Sequence, residues 1–209
     1  QLGDLWDNRK AAQLYSVDRV KSYFFDLLER NNIQLYTLIG NHDIYYRESL
    51  AINSSSILLQ QYDNVHIVNS PMTINSIDIV PWICKENEQE CLEFISNSKS
   101  ILCMGHFEIQ NFSMYRGIEC KDGLDPKMFS KYEYVFSGHY HHKSSRDNIH
   151  YVGTPYELTW QDYNDPRGFH LFDVDSRELE FIPNPNTMFA RIIYDDKQET
   201  VLEISKKDL

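Results

Sequence analysis

Apolar positions recur along this chain in two rhythms. Val17, Val20, Phe24, Leu27 and Leu28 follow helical spacing and predict a helix over Val17 to Leu28, closed by Asn31-Asn32 before the short apolar run Leu35 to Ile39. Ser49 to Tyr62 and Glu86 to Ser96 read as further helices. Apolar or β-branched runs at Val65 to Val68, Ile77 to Val80, Ile101 to Met104, Tyr134 to Phe136, Ile149 to Val152, Phe169 to Val174 and Leu179 to Ile182 read as strands. The last of these strands are expected to be consecutive antiparallel neighbours.

Between them lie breaks. Asn69-Ser70-Pro71, Asp165-Pro166-Arg167-Gly168 and Asp175-Ser176-Arg177 are turn sequences, with Arg167 expected to be structural. Residues 111 to 125 are polar, aromatic and glycine-dotted with little periodicity, so they predict a long loop on the functional side. Pro183-Asn184-Pro185-Asn186 predicts a domain boundary. No internal repeat or low-complexity tract is present.

The strands Leu35 to Ile39, Ile101 to Met104 and Tyr134 to Phe136 share a further property: each runs into a glycine and then a residue able to hold a metal. The segments are Gly40-Asn41-His42-Asp43, Gly105-His106 and Gly138-His139-Tyr140-His141, preceded by Gly3-Asp4-Leu5-Trp6-Asp7. Strand exits of an α/β sheet share one edge, where such folds place their sites. A hydrolase that cleaves phosphate esters with two divalent ions needs a bridging carboxylate, neutral imidazoles and an amide oxygen, so that the shells are completed without excess negative charge. Asp4, Asn41, His106, His139 and His141 supply that set. His139 and His141 lie two apart, so an extended backbone points both to one side, with His142 facing the other way.

Composition narrows the classes. The chain has 209 residues, 42% hydrophobic and 24% charged, enough for one sizeable core. No apolar run approaches the roughly 20 residues that span a bilayer, and no charged-then-apolar leader opens the chain, so a cytoplasmic location is expected. Cys84, Cys91, Cys103 and Cys120 form no Cys-x-x-Cys pair and are expected to be reduced, Cys103 in the core. A nucleophilic role for Cys84 or Cys91 has no visible fixed partner. The 20 basic and 31 acidic residues leave a net charge of −11, which excludes a broad basic surface that holds nucleic acid alone. Bound cations would invert the local potential, so a phosphodiesterase is not excluded.

The order Gly-Asp-x-x-Asp, Gly-Asn-His-Asp, Gly-His, Gly-His-x-His resembles the calcineurin-like metallophosphoesterases over residues 3 to 141. Gly3 to Lys10, Gly105-His106-Phe107-Glu108, Gly153-Thr154-Pro155 and Asp165-Pro166-Arg167-Gly168-Phe169 look like the SbcD-type DNA repair exonucleases, in particular the recombination endonuclease subunits of tailed bacteriophages. This extends the similarity to about residue 185. The resemblance implies an α/β/β/α four-layer sandwich with two mixed sheets, formed by residues 1 to 185, with a capping or C-terminal domain starting in 186 to 209. It implies that Asp4 bridges two metals, that Asn41, His106 and His139 complete one shell, and that His141 belongs to the other. His42 becomes the catalytic imidazole and Asp7 the carboxylate that orients it. The ions implied are two divalent cations, Mn2+ first, with Mg2+, Fe or Zn2+ as alternatives.

The family also carries an Asp-x-His motif on its first strand, and nothing upstream of Asp4 matches it. The expectation is a chain truncated at its N-terminus by about a strand, a helix and most of another strand, with one well-occupied metal site and little turnover. The resemblance implies DNA as substrate, an SbcC-type coiled-coil ATPase as partner, homodimers in the full-length protein, and the cytoplasm of a bacterial host if the source is a phage. Arg9 and Lys10 after the first ligand loop, and Tyr45, Tyr46 and Arg47 after the second, could hold a phosphate and stack on a splayed base. Two other readings stay open: a general metallophosphoesterase acting on small phosphodiesters or phosphoproteins, and an inactive scaffold domain.

Overall fold

A computed structural model describes residues 1–115 and 118–192. Its ordered elements fall into two compact units, Gln1–Gly153 and Thr154–Leu209. In the first unit, α1 (Leu14–Val20), a π turn (Lys21–Phe25) and α2 (Asp26–Arg30) run on as one helix into β1 (Leu35–Leu38). The short α3 (Ser54–Leu58) leads to β2 (Val65–Val68), which pairs parallel to β1. Then come β3 (Met72–Ile74), β4 (Ile77–Val80), α4 (Glu88–Asn97), β5 (Leu102–Gly105), the small hairpin β6 (Ser113–Tyr115) and β7 (Ile118–Glu119), and finally β8 (Tyr134–Ser137), β9 (Ser144–Arg146) and β10 (Ile149–Tyr151).

Strands β3-β4-β5-β8-β10-β9 form a six-stranded mixed sheet. Its centre, β4-β5-β8-β10, is parallel, and each edge is an antiparallel hairpin partner.

The period-two alternation of the strands sets the layers. In β1 and β2, Leu35, Val65 and Ile67 meet Phe25 of the π turn and Leu59 and Tyr62 just after α3, while Tyr36, Leu38 and Val68 meet Ile74, Ile77 and Ile79 of the six-stranded sheet. The opposite face of that sheet, through Val80, Cys103, Val135 and Ile149, packs on Cys91 and Ile95 of α4. Helices, a two-stranded sheet, a six-stranded sheet and a helix therefore stack in the α/β/β/α order expected. Among the described residues, mixed pairing belongs to the larger sheet only.

Several elements differ from the sequence reading. The expected helix over 49 to 62 shrinks to Ser54–Leu58, because Asn53 is extended, pairs with Ile44 in an isolated bridge, and caps the helix by accepting from the Ser56 amide at 2.7 Å. Residues 111 to 125 contain β6 and β7, and the loop around them is tied down by a bond from the Leu124 amide to the Glu108 carbonyl at 2.7 Å. Edge strand β3 is too short, at three residues, and edge strand β9 (Ser144–Arg146) too polar to announce itself. The first is held by a two-residue turn in which Asn75 and Ser76 both have positive φ, 49° and 65°. The late strands are only partly antiparallel neighbours, since β10 pairs parallel to β8 as well as antiparallel to β9.

All four cysteines are free and buried. Burial pushes the Cys84 thiol up and Cys91 up to about 12, which opposes a nucleophilic role.

The second unit contains β11 (Gly168–Phe172) and β12 (Leu179–Pro183), an antiparallel pair. Arg167 is structural there: buried, it forms ion pairs at 2.8 Å with both Asp162 and Asp165. The Pro183 to Asn186 segment lies inside this unit, and residues 193–209 lie outside the described residues. Among the described residues no helix is long and apolar enough to cross a membrane.

Candidate metal centre

Asp4, Asn41, His106 and His139 come together at one edge of the two sheets. Gln1 to Gly3 lies alongside β1, with the Leu38 amide donating to the Gln1 carbonyl at 3.0 Å. The chain then turns sharply through Gly3 (φ 88°) and Asp4 (φ 54°). A side chain on Gly3 would run into the His106 ring, and one on Gly40 into the Asp4 carboxylate. These glycines are what let the loops approach so closely. His139 also sits at positive φ, 79°, a strained geometry typical of functional positions.

These groups meet through imidazole nitrogens and carboxylate or amide oxygens, and the direction of each contact depends on where the imidazole protons sit. His106 is 1% exposed, and its Nδ1 donates to the Leu2 carbonyl at 2.6 Å, so that in the neutral imidazole Nε2 is an acceptor. That Nε2 faces the Asn41 Oδ1 at 3.0 Å and the Asp4 Oδ2 at 3.2 Å. His139 Nδ1 faces the same Asn41 oxygen at 3.0 Å. Asp4, His106 and His139 present one ligand atom each within 4.8 Å of one another. The Nε2 lone pair of a neutral His106 aimed at two acceptor oxygens is satisfied by a cation, or by a proton on that imidazole. Oxygen and nitrogen donors without thiolate are the chemistry of Mn2+, Mg2+, Fe or Zn2+, so the residues present fit a divalent ion.

The electrostatics agree with that fit. Burial alone would raise the Asp4 pKa, but the facing His106 and the His42 amide, which donates to Asp4 Oδ1 at 2.7 Å, hold it below the usual value. Burial depresses the His106 pKa and the Asp4 carboxylate overrides it, for a net rise. His139 is driven down to about 3 by burial and by His106, so it is a neutral, ligand-ready imidazole near pH 7.

His141 lies outside the three-residue cluster, although it is near enough to help depress His139. His42 sits at the rim, its side chain 44% exposed. Its Nδ1 meets the Asp7 main-chain carbonyl at 2.7 Å, whereas the Asp7 carboxylate is 4.0 Å away and fully exposed. The tautomer is thus set by backbone in this geometry.

Of the expected nucleic-acid contacts, Lys10 and Arg47 are exposed and Arg9 is half-buried. Tyr45 and Tyr46 are both exposed and pack edge to face, 4.8 Å between centroids.

Three participants carried no assigned role in the sequence reading. Asp43, 1% exposed, accepts from the amides of Asp4 (2.8 Å), Gly40 (2.8 Å) and Trp6 (3.2 Å), and so splices the first two ligand loops together. Its pKa is raised, chiefly by burial and also by the Asp4 charge, against the lowering effect of those amides. The Leu2 carbonyl is invisible to any residue-type argument. Trp82, directly after β4 at the same sheet edge as the ligands, places its ring 5.2 Å from His139 and 5.8 Å from His106. Its one signal was a Pro-Trp pair at a strand exit.

A cluster of oxygen and nitrogen donors suited to a divalent ion, at the sheet edge of an α/β/β/α frame, is the class these features define. Residues 1–143 match the calcineurin-like phosphoesterase family, and the chain belongs to it. Among characterised proteins, it is 40% identical over 198 residues to exonuclease subunit 1 of Enterobacteria phage T4, covering 93% of this chain and 58% of that protein. It is 26% identical to the SbcD component of the SbcCD nuclease of Staphylococcus epidermidis, over 96% of this chain and 62% of the relative. It is also 26% identical to the DNA double-strand break repair protein Mre11 of Methanocaldococcus jannaschii, over 78% and 48%. The chain thus spans about half to three-fifths of the length of these relatives.

Proposed function

We propose that this chain carries the nuclease centre of a metal-dependent DNA exonuclease or endonuclease subunit that hydrolyses phosphodiester bonds in recombination and double-strand-break processing. The observation that carries this reading is the convergence of Asp4, Asn41, His106 and His139 lone pairs beside a solvent-accessible histidine, in a chain related to exonuclease subunit 1 of phage T4.

Asp4, Asn41, His106 and His139 hold one ion, and Asp4 with His141 contributes to a second; Mn2+ is the proposed metal. Divalent ions, when bound, supply an activated water near neutral pH and offset charge on the phosphoryl oxygens. His42, anchored at Nδ1 by the Asp7 carbonyl, presents its Nε2 to stabilise or protonate the departing oxygen. Arg9, Lys10 and Arg47 hold strand phosphates, and Tyr45 and Tyr46 stack on an unpaired base. With a net charge of −11, the protein needs help to retain DNA. An SbcC-type coiled-coil ATPase and a second copy of the protein are the proposed partners, acting in the cytoplasm of a bacterial host if the source is a phage. Residues 154 to 185 complete the nuclease domain, and 186 to 209 begin the next.

The test is degradation of linear duplex DNA by the full-length protein with Mn2+. Activity is expected, together with its loss in His42→Ala while bound metal is retained. Hydrolysis of a small chromogenic diester but never of DNA overturns the nuclease reading in favour of a general metallophosphoesterase.

A further inference from the structure

The two ligand histidines, His106 buried and His139 half-buried, are oriented by different means. His106 has the arrangement usual for a metal-binding imidazole: its distal nitrogen donates to a main-chain carbonyl, Leu2, which fixes both tautomer and ring plane. His139 has no such partner. Among the described residues its one hydrogen-bond-range contact is Nδ1 to Asn41, on the metal side, and its Nε2 meets no acceptor. Beyond that contact with Asn41, nothing polar among the described residues holds the far side of the ring, and the residue stands on a strained backbone at φ 79°.

Aromatic packing fills that gap. The Trp82 indole lies 5.2 Å from the His139 ring at a tilt of 34°, and the Tyr140 ring lies 4.9 Å from it at 43°. The indole also meets the His106 ring edge to face at 5.8 Å and 75°. Such offset and edge contacts have preferred geometries, so a fixed indole restricts how both imidazoles can turn.

Trp82 is itself fixed. Its amide donates to the Ile39 carbonyl at 2.8 Å, immediately before the Gly40-Asn41 ligand loop, and its carbonyl accepts from Asn87 Nδ2 at 3.0 Å. It packs against the small core of Ile39, Ile44, Leu50 and Cys84. The indole is thus anchored to the same strand exit that delivers Asn41, the oxygen both histidines face.

We propose that Trp82 is a positioning residue for the metal centre. Its ring holds the His139 imidazole in its ligating plane, in place of the hydrogen bond that performs this task for His106. The proposal rests on the reading of Asp4, Asn41, His106 and His139 as a metal shell. It assigns Trp82 no contact with substrate.

The test is calorimetric Mn2+ titration of the full-length protein carrying Trp82→Ala, Trp82→Leu or Trp82→Phe. His139→Ala is measured alongside, and far-ultraviolet circular dichroism of the metal-free proteins tracks folding. Removing an outer partner of a metal ligand typically weakens binding by about 10–100-fold. A loss of about tenfold or more is expected for the alanine and leucine variants, with affinity within about threefold of wild type for phenylalanine, which keeps an aromatic face. Leucine retains bulk without a ring, so a leucine variant that binds like wild type overturns the proposal even if the alanine variant does not fold. So does a folded alanine variant that binds like wild type. A second readout is quenching of tryptophan fluorescence by bound Co2+, expected to shrink markedly in Trp82→Phe; quenching as strong as in wild type contradicts the placement of Trp82. If His139→Ala binds Mn2+ as tightly as wild type, the metal-shell reading fails and takes the role of Trp82 with it. Weak binding by His139→Ala beside wild-type binding by Trp82→Leu overturns the role of Trp82 alone.

Discussion

The buried centre and its open rim are built on opposite terms. In the centre, His106 is 1% exposed and both of its nitrogens are committed, one to Leu2 and one to the oxygens of Asp4 and Asn41. At the rim, His42 is 44% exposed and held at one nitrogen only. Neighbouring Tyr45, Tyr46, Lys10 and Arg47 face solvent. A metal ligand must present a lone pair in one direction at all times, and burial among fixed dipoles achieves that. A group that passes a proton to a leaving oxygen needs access to it, and a polymer substrate needs an unobstructed approach. The difference in burial between the two histidines is what the two proposed tasks require.

That contrast can be broken or sharpened in order of expected effect. His106→Ala should weaken Mn2+ binding by more than about 100-fold, beyond the range typical for an outer partner. Calorimetry that found a smaller loss than for the rim variant His42→Ala would invert the comparison.

Asp43→Ala leaves the amides of Asp4, Gly40 and Trp6 without their acceptor, and should cost roughly 2–4 kcal/mol in urea unfolding of the metal-free protein. Mn2+ at about 100 times its dissociation constant should stabilise the native state by about 2.7 kcal/mol, raising the melting temperature by roughly 5–10 °C. Removal with chelator should reverse the shift, and a chelator-insensitive melt would mean that the centre holds no exchangeable ion.

At the rim, Tyr46→Ala should weaken binding of a single-stranded oligonucleotide by about 1–3 kcal/mol if it stacks on a base. Fluorescence anisotropy in a His42→Ala background measures this without cleavage, and an unchanged affinity removes the tyrosine from the interface. Smallest of all should be Asp7→Asn. An exposed ion pair is worth at most about 1 kcal/mol, so a loss below about fivefold in cleavage rate is expected, because the Asp7 main chain and not its carboxylate lies at 2.7 Å from His42. A loss of several hundredfold would show that the carboxylate closes on His42 when substrate binds.

Legibility differed between these regions for physical reasons. Asn41, His106 and His139 were readable because each follows a glycine at the end of a hydrophobic run, a local pattern; Asp4 was readable from Gly3-Asp4-x-x-Asp7, and the structure brings all four together. The central strands were readable for the same reason. The edge strands β3 and β9 were not, since the first has only three residues and the second, Ser144–Arg146, is too exposed to need an apolar alternation. The helix at 54–58 was overextended because Ser49 to Asn53 has no unfavourable residue for a helix; a tertiary bridge between Ile44 and Asn53 decides its start.

What the sequence by itself determined is the donor chemistry: which carboxylate, amide and imidazoles are available, and that they leave the sheets at one edge. Only the tertiary structure decided how those donors are oriented. The Leu2 carbonyl on His106, the Asp7 carbonyl on His42, the Asp43 carboxylate beneath two loops and the Trp82 ring on His139 all join segments far apart in the chain or use backbone atoms that every residue possesses. No residue type encodes a main-chain carbonyl, and no local spacing encodes which ring will lie against another.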